Sequence, residues 1–442
     1  MRNTPRTLLA QLCEQGGLTY RRFDERFSRT GTRLFGNSPH NPTCGETQFR
    51  RWTGGKLAGL PGPETCQILQ AMWPGYTAEQ LFGPPGTADD PQESAFNLEE
   101  RVHMTAREAH DGAGMTAAAS ISDNSIDDLR DRMNTLARDY HRLPPARAYE
   151  DADDLRRELE RQRERTQVPV QQQTLMILSG QVAALLAVCA FDLGYFPSAR
   201  TLARTAALYG ESSRFTPLQA YADGTLAYIA YHSGEPNEAL AKARRALSHA
   251  GLGSTALRRL QAIAARAHAH LGDTAGARRF IDLSRDTGQE LRDDLHDAVG
   301  GEFGFTAERL AMSNSTTALL IGDAARAAVE ADRALTLIGE RPPGERSTHV
   351  RAGAAADLAH ARLLVDDVEA AADALTGLWD VPADQRNTGI VVRAARVARH
   401  LAGPRYHGSP LSADLRTRIE EFTRVSPPYR LGPPLPLVAI EP

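Results

Sequence analysis

The sequence predicts an all-α protein: an N-terminal helical head, a helical linker and a C-terminal superhelix of about five to six helix pairs. Three observations carry that prediction. Apolar residues recur three and four apart along much of the chain, the period of a helix with one buried face. A ladder of small residues repeats five times in the second half, and repetition at a period of roughly 20–50 residues marks stacked helical units. Between head and body, Gly83-Pro84-Pro85-Gly86-Thr87 through Pro91 is turn punctuation that ends one helical block before the next begins.

The head, residues 1–86, closes on Leu81 and Phe82. It holds ten Lys or Arg against six Asp or Glu, about +4; the whole chain carries −4, which leaves about −8 for the rest. A basic head on an acidic body suits a head that meets an anion. Thr19 stands where it would cap a helix from Tyr20, expected to end near Arg29. Thr43 and Glu46 have the spacing of a capping box, so the next helix is expected to begin there. In that helix Phe49 and Trp52 would turn inward, leaving Thr47, Gln48, Arg50 and Arg51 outward, with Lys56 in the loop beyond. These residue types read DNA: Gln pairs with adenine, Arg with guanine or phosphate, and Thr with either.

The stretch Thr43-Cys44-Gly45-Glu46-Thr47-Gln48-Phe49-Arg50-Arg51-Trp52-Thr53-Gly54-Gly55-Lys56 resembles the third helix and following loop of the phage-repressor type of helix-turn-helix. Leu60-Pro61, then Ile68, Leu69 and Met72, supply the helix that follows the loop. The resemblance implies that this helix enters the major groove of double-stranded DNA. Between Arg29 and Thr43, with Gly31, Gly36, Pro39 and Pro42, the chain inserts about a dozen residues where the motif has a short turn. That insertion is either a wing on the duplex or a loss of the docking geometry. His40, Cys13, Cys44 and Cys66 make no close pair of the zinc type and read as structural residues, so neither a metal nor a cofactor is expected.

Residues 87–172 read as a helical linker and dimerisation region. Ile126, Leu129, Met133, Leu136 and Tyr140 form one apolar stripe, and a charged helical stretch from Asp151 to Arg165 follows the break at Pro144-Pro145. The stripe around Leu129 and Leu136 is one expected homodimer contact; the repeat domain is the other.

Residues 173–425 carry the repeat, and residues 426–442 a Pro-rich tail. Gly precedes Ala by five residues in Gly194/Ala199, Gly234/Ala239, Gly272/Ala277 and Gly322/Ala327, with Asp366/Ala371 as a copy lacking the Gly. Ala206, Ala246, Ser284, Ala334 and Leu378 follow at one fixed offset, and Ala187, Ala227, Ala265, Ser315 and Ala359 precede at another. Short side chains let paired helices approach closely, and Gly sits in the turn between them. The pattern resembles the tetratricopeptide repeat, with periods of 40, 38, 50 and 44 residues in place of the usual length of about 34. Gly300-Gly301 and Pro342-Pro343-Gly344 mark loops that absorb the excess.

First helices of such pairs line a concave face. In register, that face takes Gln181, Tyr221, Tyr228, Tyr231, Arg259, Arg266, His270, Arg309, Thr316 and His360. Tyrosine beside arginine suits a peptide carboxylate or a small acidic molecule; alternatively the arginines pair with acidic neighbours on adjacent repeats.

Taken together, the Arg-Trp-Thr-Gly-Gly-Lys block, Asp128 to Tyr140, Ser179 to Gly194 and Gly301-Glu302-Phe303-Gly304-Phe305 are similar to an actinobacterial family of helix-turn-helix regulators with tetratricopeptide-like C-terminal domains. The resemblance implies a transcription regulator; related architectures sense small peptides in the repeat groove. The competing expectation is a protein–protein interaction scaffold without specific DNA binding. An enzyme is not expected, because the chain has no Gly-rich phosphate loop, no Gly-x-Ser-x-Gly and no His-Glu-x-x-His. With 41% hydrophobic and 24% charged residues, no apolar run of about 18 and no signal-like start, the expected address is the cytoplasm, away from membranes.

Overall fold

The computed structural model describes residues 5–36, 38–85, 95–286 and 291–431, and every regular element among them is helical. The punctuation from Gly86 to Pro91 and the tail beyond Leu431 lie outside the described residues. The chain divides into two compact units, residues 1–110 and 111–442.

The first unit contains α1 (Leu8–Gln15), α2 (Tyr20–Phe35), α3 (Glu46–Thr53), α4 (Pro63–Met72) and α5 (Ala78–Phe82); α6 (Ala95–Ala118) carries the chain across the boundary. Its core joins Leu9, Phe23, Phe27, Trp52, Ile68 and Leu81. Phe23 sits at the centre, its ring 4.7 Å from Phe49, 5.9 Å from Phe27 and 6.1 Å from Trp73. Thr7 caps α1 and also donates its hydroxyl to the carbonyl of Trp52 at 3.2 Å, tying the first helix to the third.

Two expectations change here. Helix α2 does not stop near Arg29 but continues to Phe35, because Gly31 is buried against Ile68 of α4 and acts as a packing residue. The connection to α3 is therefore residues 36–45. Nor does the capping box form at Thr43; α3 begins at Glu46 with Gly45 as an unassisted cap. The hydroxyl of Tyr20 donates to the carbonyl of buried Cys44 at 3.2 Å and holds the chain extended up to that point.

The second unit runs α7 (Asp123–Asp139), α8 (Pro145–Arg165), α9 (Pro169–Asp192), α10 (Phe196–Ser212), α11 (Thr216–His232), α12 (Pro236–Leu247), α13 (Ser254–His270), α14 (Thr274–Arg285), α15 (Ala307–Leu320), α16 (Ala324–Glu340), α17 (Thr348–Leu364), α18 (Val368–Trp379), α19 (Thr388–Leu401), α20 (Pro410–Arg424) and α21 (Pro427–Leu431). From α9 onward successive helices pack in pairs, and the first helix of each pair packs on the first helix of the next. The small-residue ladder lies at those contacts. Ala199, Ala239, Ala277, Ala327 and Ala371 are fully buried, as are their partners at both offsets. Gly194, Gly234, Gly272 and Gly322 turn with φ between +73° and +89°, and Asp366, in the copy without Gly, still adopts φ +65°.

The stripe on α7 is spent inside this unit. Ile126, Leu129, Met133, Leu136 and Tyr140 share a core with α8 and α9, so the stripe expected as a dimer contact is buried within the unit, and α7 and α8 belong to the same compact unit as the helices that follow. Helix α9 also corrects the hydropathy reading. It is long and apolar enough to span a bilayer, since only Ser179, Gly180 and Gln181 interrupt Leu175 to Phe191. Its apolar window is 78% buried against neighbouring helices.

Between α14 and α15 a long connection returns to α7. The amide of Glu302 donates to the carbonyl of Ala137 at 2.8 Å, and Gly301, at φ +58°, passes so close that an added Cβ would lie 2.2 Å from that same carbonyl oxygen. Gly301→Ala is expected to cost about 3 kcal/mol or more, the sum of left-handed strain and overpacking. Chemical denaturation checks this; a loss below about 1 kcal/mol would show that the loop yields freely.

Candidate functional site

In the first unit the candidate surface is the outer face of α3. Trp52 is buried and Phe49 packs on Tyr20 and Phe23, which fixes the helix by its inner face. Thr47, Gln48, Arg50, Arg51 and the following Lys56 are all exposed. Arg50 is engaged by Glu46 one turn earlier at 2.5 Å, an exposed pair that a stronger anion can displace. Cys13 and Cys44 pack in the core beneath, where burial pushes both thiols up to about 12.

In the second unit the start of α19 docks on the end of α9: the Thr388 hydroxyl donates to the carbonyl of Phe191 at 2.8 Å, and the Asn387 amide donates to the carboxylate of Asp192 at 3.2 Å. Beside that contact the first helices border a partly open chamber of about 100 Å³. Its lining mixes aromatic and apolar residues, Phe191, Tyr228, Tyr231, Ile263 and Phe305, with charged ones, Arg259 and Arg266 from α13, Arg309 from α15, Arg393 from α19 and Glu302 from the α14–α15 connection. Arg266 lies over the Tyr231 ring and Arg309 over that of Phe305.

Glu302 organises one end. Arg309 pairs with it at 3.1 Å, the Tyr221 hydroxyl donates to it at 2.9 Å, and His141 Nε2 lies 3.1 Å away. Burial alone would raise its carboxyl, but Arg309, His141 and Arg259 outweigh that and hold it down at about 2. The His141 imidazole is shifted below its ordinary value chiefly by burial, then by Arg309, with Glu302 opposing the shift. Arg259 lies flat on Tyr221, its guanidinium carbon 4.0 Å from the ring centre, and donates to the Thr225 hydroxyl at 2.9 Å. At the other end Arg393 pairs with buried Asp357 at 3.2 Å and donates to Thr316 at 3.0 Å. Arg266 reaches only neutral groups, the carbonyl and hydroxyl of Ser313, each at 2.9 Å, and the Tyr231 hydroxyl at 3.5 Å.

No protein-family model matches the chain, and no curated protein matches it. The chemistry of the two surfaces is what remains to assign them.

Of the residues expected on the concave face, Tyr228, Tyr231, Arg259, Arg266 and Arg309 do line the chamber. His270 and Thr316 line a smaller cavity of about 20 Å³ beside it. Tyr221 stands behind Arg259, Gln181 is enclosed within the helix stack, and His360 faces His400 rather than the chamber. Arg309 does pair with an acid, but with Glu302 in the connection just before its own helix rather than on an adjacent repeat, and among the described residues Arg259 and Arg266 make no ion pair. Sequence reasoning missed Asp192, Glu302, Arg393 and Asn387. The Gly301-Glu302-Phe303-Gly304-Phe305 segment pointed at Glu302; nothing periodic marked Asn387, which acts as the cap of α19.

Asp192 is the chamber's titratable carboxyl. Burial raises it to about 7 from an ordinary 3.8, Glu302 adds to the rise, and hydrogen bonds from Tyr140 and Asn387 oppose it. A carboxyl raised on folding contributes stability that is complete below its unfolded value and is lost as pH climbs through the folded one. Glu302 works in the opposite direction, but its window lies below about 4.5. Asp192→Asn, which keeps an acceptor for Tyr140, is therefore expected to gain on the wild type by a margin in melting temperature that widens from about pH 4 to about pH 7 and levels off above. A margin that stays constant across that range would refute the assignment.

Proposed function

We propose that the protein is a sequence-specific DNA-binding transcription regulator, with α3 as the reading helix of a helix-turn-helix and the chamber of the second unit as the seat of a small effector. One observation carries the DNA half: α3 is locked by Trp52 and Phe49 while Thr47, Gln48, Arg50, Arg51 and Lys56 stand together in solvent. A rigidly held helix with Gln and Arg outward is what major-groove readout needs. Helix α2 ending at Phe35 shortens the insertion to residues 36–45, which supports the wing reading over a lost docking geometry.

The helix pairs of the second unit are read as tetratricopeptide-like repeats, lengthened by helices such as the 24-residue α9 and by the α14–α15 connection. The docking of α19 on α9 narrows the concave face to a chamber of about 100 Å³, which favours a small molecule over a peptide or partner protein lying in a groove. Readout of two half-sites one DNA turn apart calls for a homodimer, and with the α7 stripe buried its contact falls to the outer surface of the repeat body.

The test is recovery of genomic fragments by the full chain at fixed salt, beside Arg50→Ala/Arg51→Ala. A few discrete sites from the wild type, lost in the variant, are expected. On such a site the variant's binding constant should fall less steeply with salt, its log–log slope smaller by about 2 for two lost phosphate contacts. Discrete sites recovered equally by both proteins would remove α3 as the reading element, and no discrete site from either, with cell extract supplied, would remove the DNA reading.

A further inference from the structure

Five guanidinium groups gather around the chamber and the small cavity beside it: Arg259, Arg266, Arg309, Arg393 and Arg396. Two carboxylates answer them at close range, Glu302 to Arg309 and Asp357 to Arg393. Asp192, the third acid, is raised by its burial to about 7, so near neutral pH it supplies only part of a negative charge. Arg259 gains from the Tyr221 ring, but among the described residues Arg266 and Arg396 make no ion pair of their own and share the more distant charge of Asp357 with Arg393. Buried positive charge without an anion is costly, and proteins that keep it generally use it.

The unpaired atoms converge. Arg266 Nε, Arg396 Nη1 and His232 Nε2 are enclosed and lack a hydrogen-bond partner, and all three residues line the smaller cavity. That cavity shares Arg266 and Arg393 with the main chamber. At about 20 Å³ it takes one small polar group and no more, whereas the aromatic chamber of about 100 Å³ takes a ring-sized body. The neighbouring histidines respond to the same charge: His270 is held down at about 4 by burial, then by Arg266 and Arg396.

We propose that the second unit binds a small organic carboxylate, its apolar body against Phe191, Tyr228 and Phe305 and its carboxylate held by Arg266, Arg393 and Arg396. This rests on reading the chamber as an effector site and adds the ligand's charge, its size and the residues that hold it. Planar guanidiniums suit a carboxylate's two oxygens. Bound there, the ligand also links α13 to α19, the helix that docks on α9.

The test uses the full chain without DNA, so it stands or falls apart from operator recognition. Benzoate is the probe, with benzamide as its neutral counterpart of the same shape and inorganic phosphate as an anion without the ring. Thermal unfolding and titration calorimetry at fixed ionic strength are expected to show saturable stabilisation by benzoate and none by benzamide or phosphate. Arg396→Met should melt higher than the wild type without ligand, because it removes an uncompensated charge, and should bind benzoate at least about tenfold more weakly. Arg396→Lys, which keeps the charge, should recover part of the binding. Absence of saturable binding by benzoate, equal binding of benzamide, a preference for phosphate, or a lower melting temperature for ligand-free Arg396→Met would each overturn the proposal.

Discussion

The second unit depends on one contact that is remote in sequence: the cap of α19 meeting the last turn of α9. Asn387 and Thr388 satisfy the Asp192 carboxyl and the Phe191 carbonyl, at separations of 195 and 197 residues. A stack of helix pairs with only neighbour contacts is an open, quasi-one-dimensional body, whose ends move independently. Docking α19 on α9 narrows the groove and leaves the charged groups beside it largely buried. The unusual properties of the interior go with that burial. Asp192 is raised, Glu302 must be matched by Arg309, and five arginines share few anions.

That docking also explains why small residues recur so strictly. With Ala or Ser at all but one of the ladder positions, Leu378 being the exception, the pairs approach closely, and the first helices lie near enough for α19 to reach α9. The connection from α14 to α15 exploits the same tight fit. Gly301 slides under the end of α7, and the next residue carries Glu302 into the interior. Hydrogen bonds and ion pairs around Glu302 therefore tie the end of α7, which lies outside the repeat, to α11 and α15.

The first unit solves a different problem with fewer parts. A core built on Phe23, Phe27 and Trp52 fixes three helices at once, and Thr7 bonds to the carbonyl of Trp52, the residue that anchors α3. Its polar residues are consequently presented on a firm support, at no cost to the core, because the inner positions of so short a helix are only Phe49 and Trp52. Exposure and rigidity together make this face suited to recognition, whereas the interior of the second unit offers enclosure and charge.

By itself the sequence determined the helical class, the turns of the repeat and the inner and outer faces of α3, because each follows from spacing along one helix or one turn. Even the Gly-less turn at Asp366 was visible from register alone, and its left-handed backbone follows. Tyr228, Arg259, Arg266 and Arg309 were legible as facing residues for the same reason. Only tertiary structure decided that the α7 stripe is core, that α2 continues through Gly31, and that the groove is narrowed to a chamber. Those outcomes rest on contacts between residues far apart, such as Gly31 with Ile68 and Asn387 with Asp192, where neither partner carries a periodic signal. The same holds for the balance of charge: a count of arginines is a property of the chain, but which of them lacks an anion is set by what lies across the chamber.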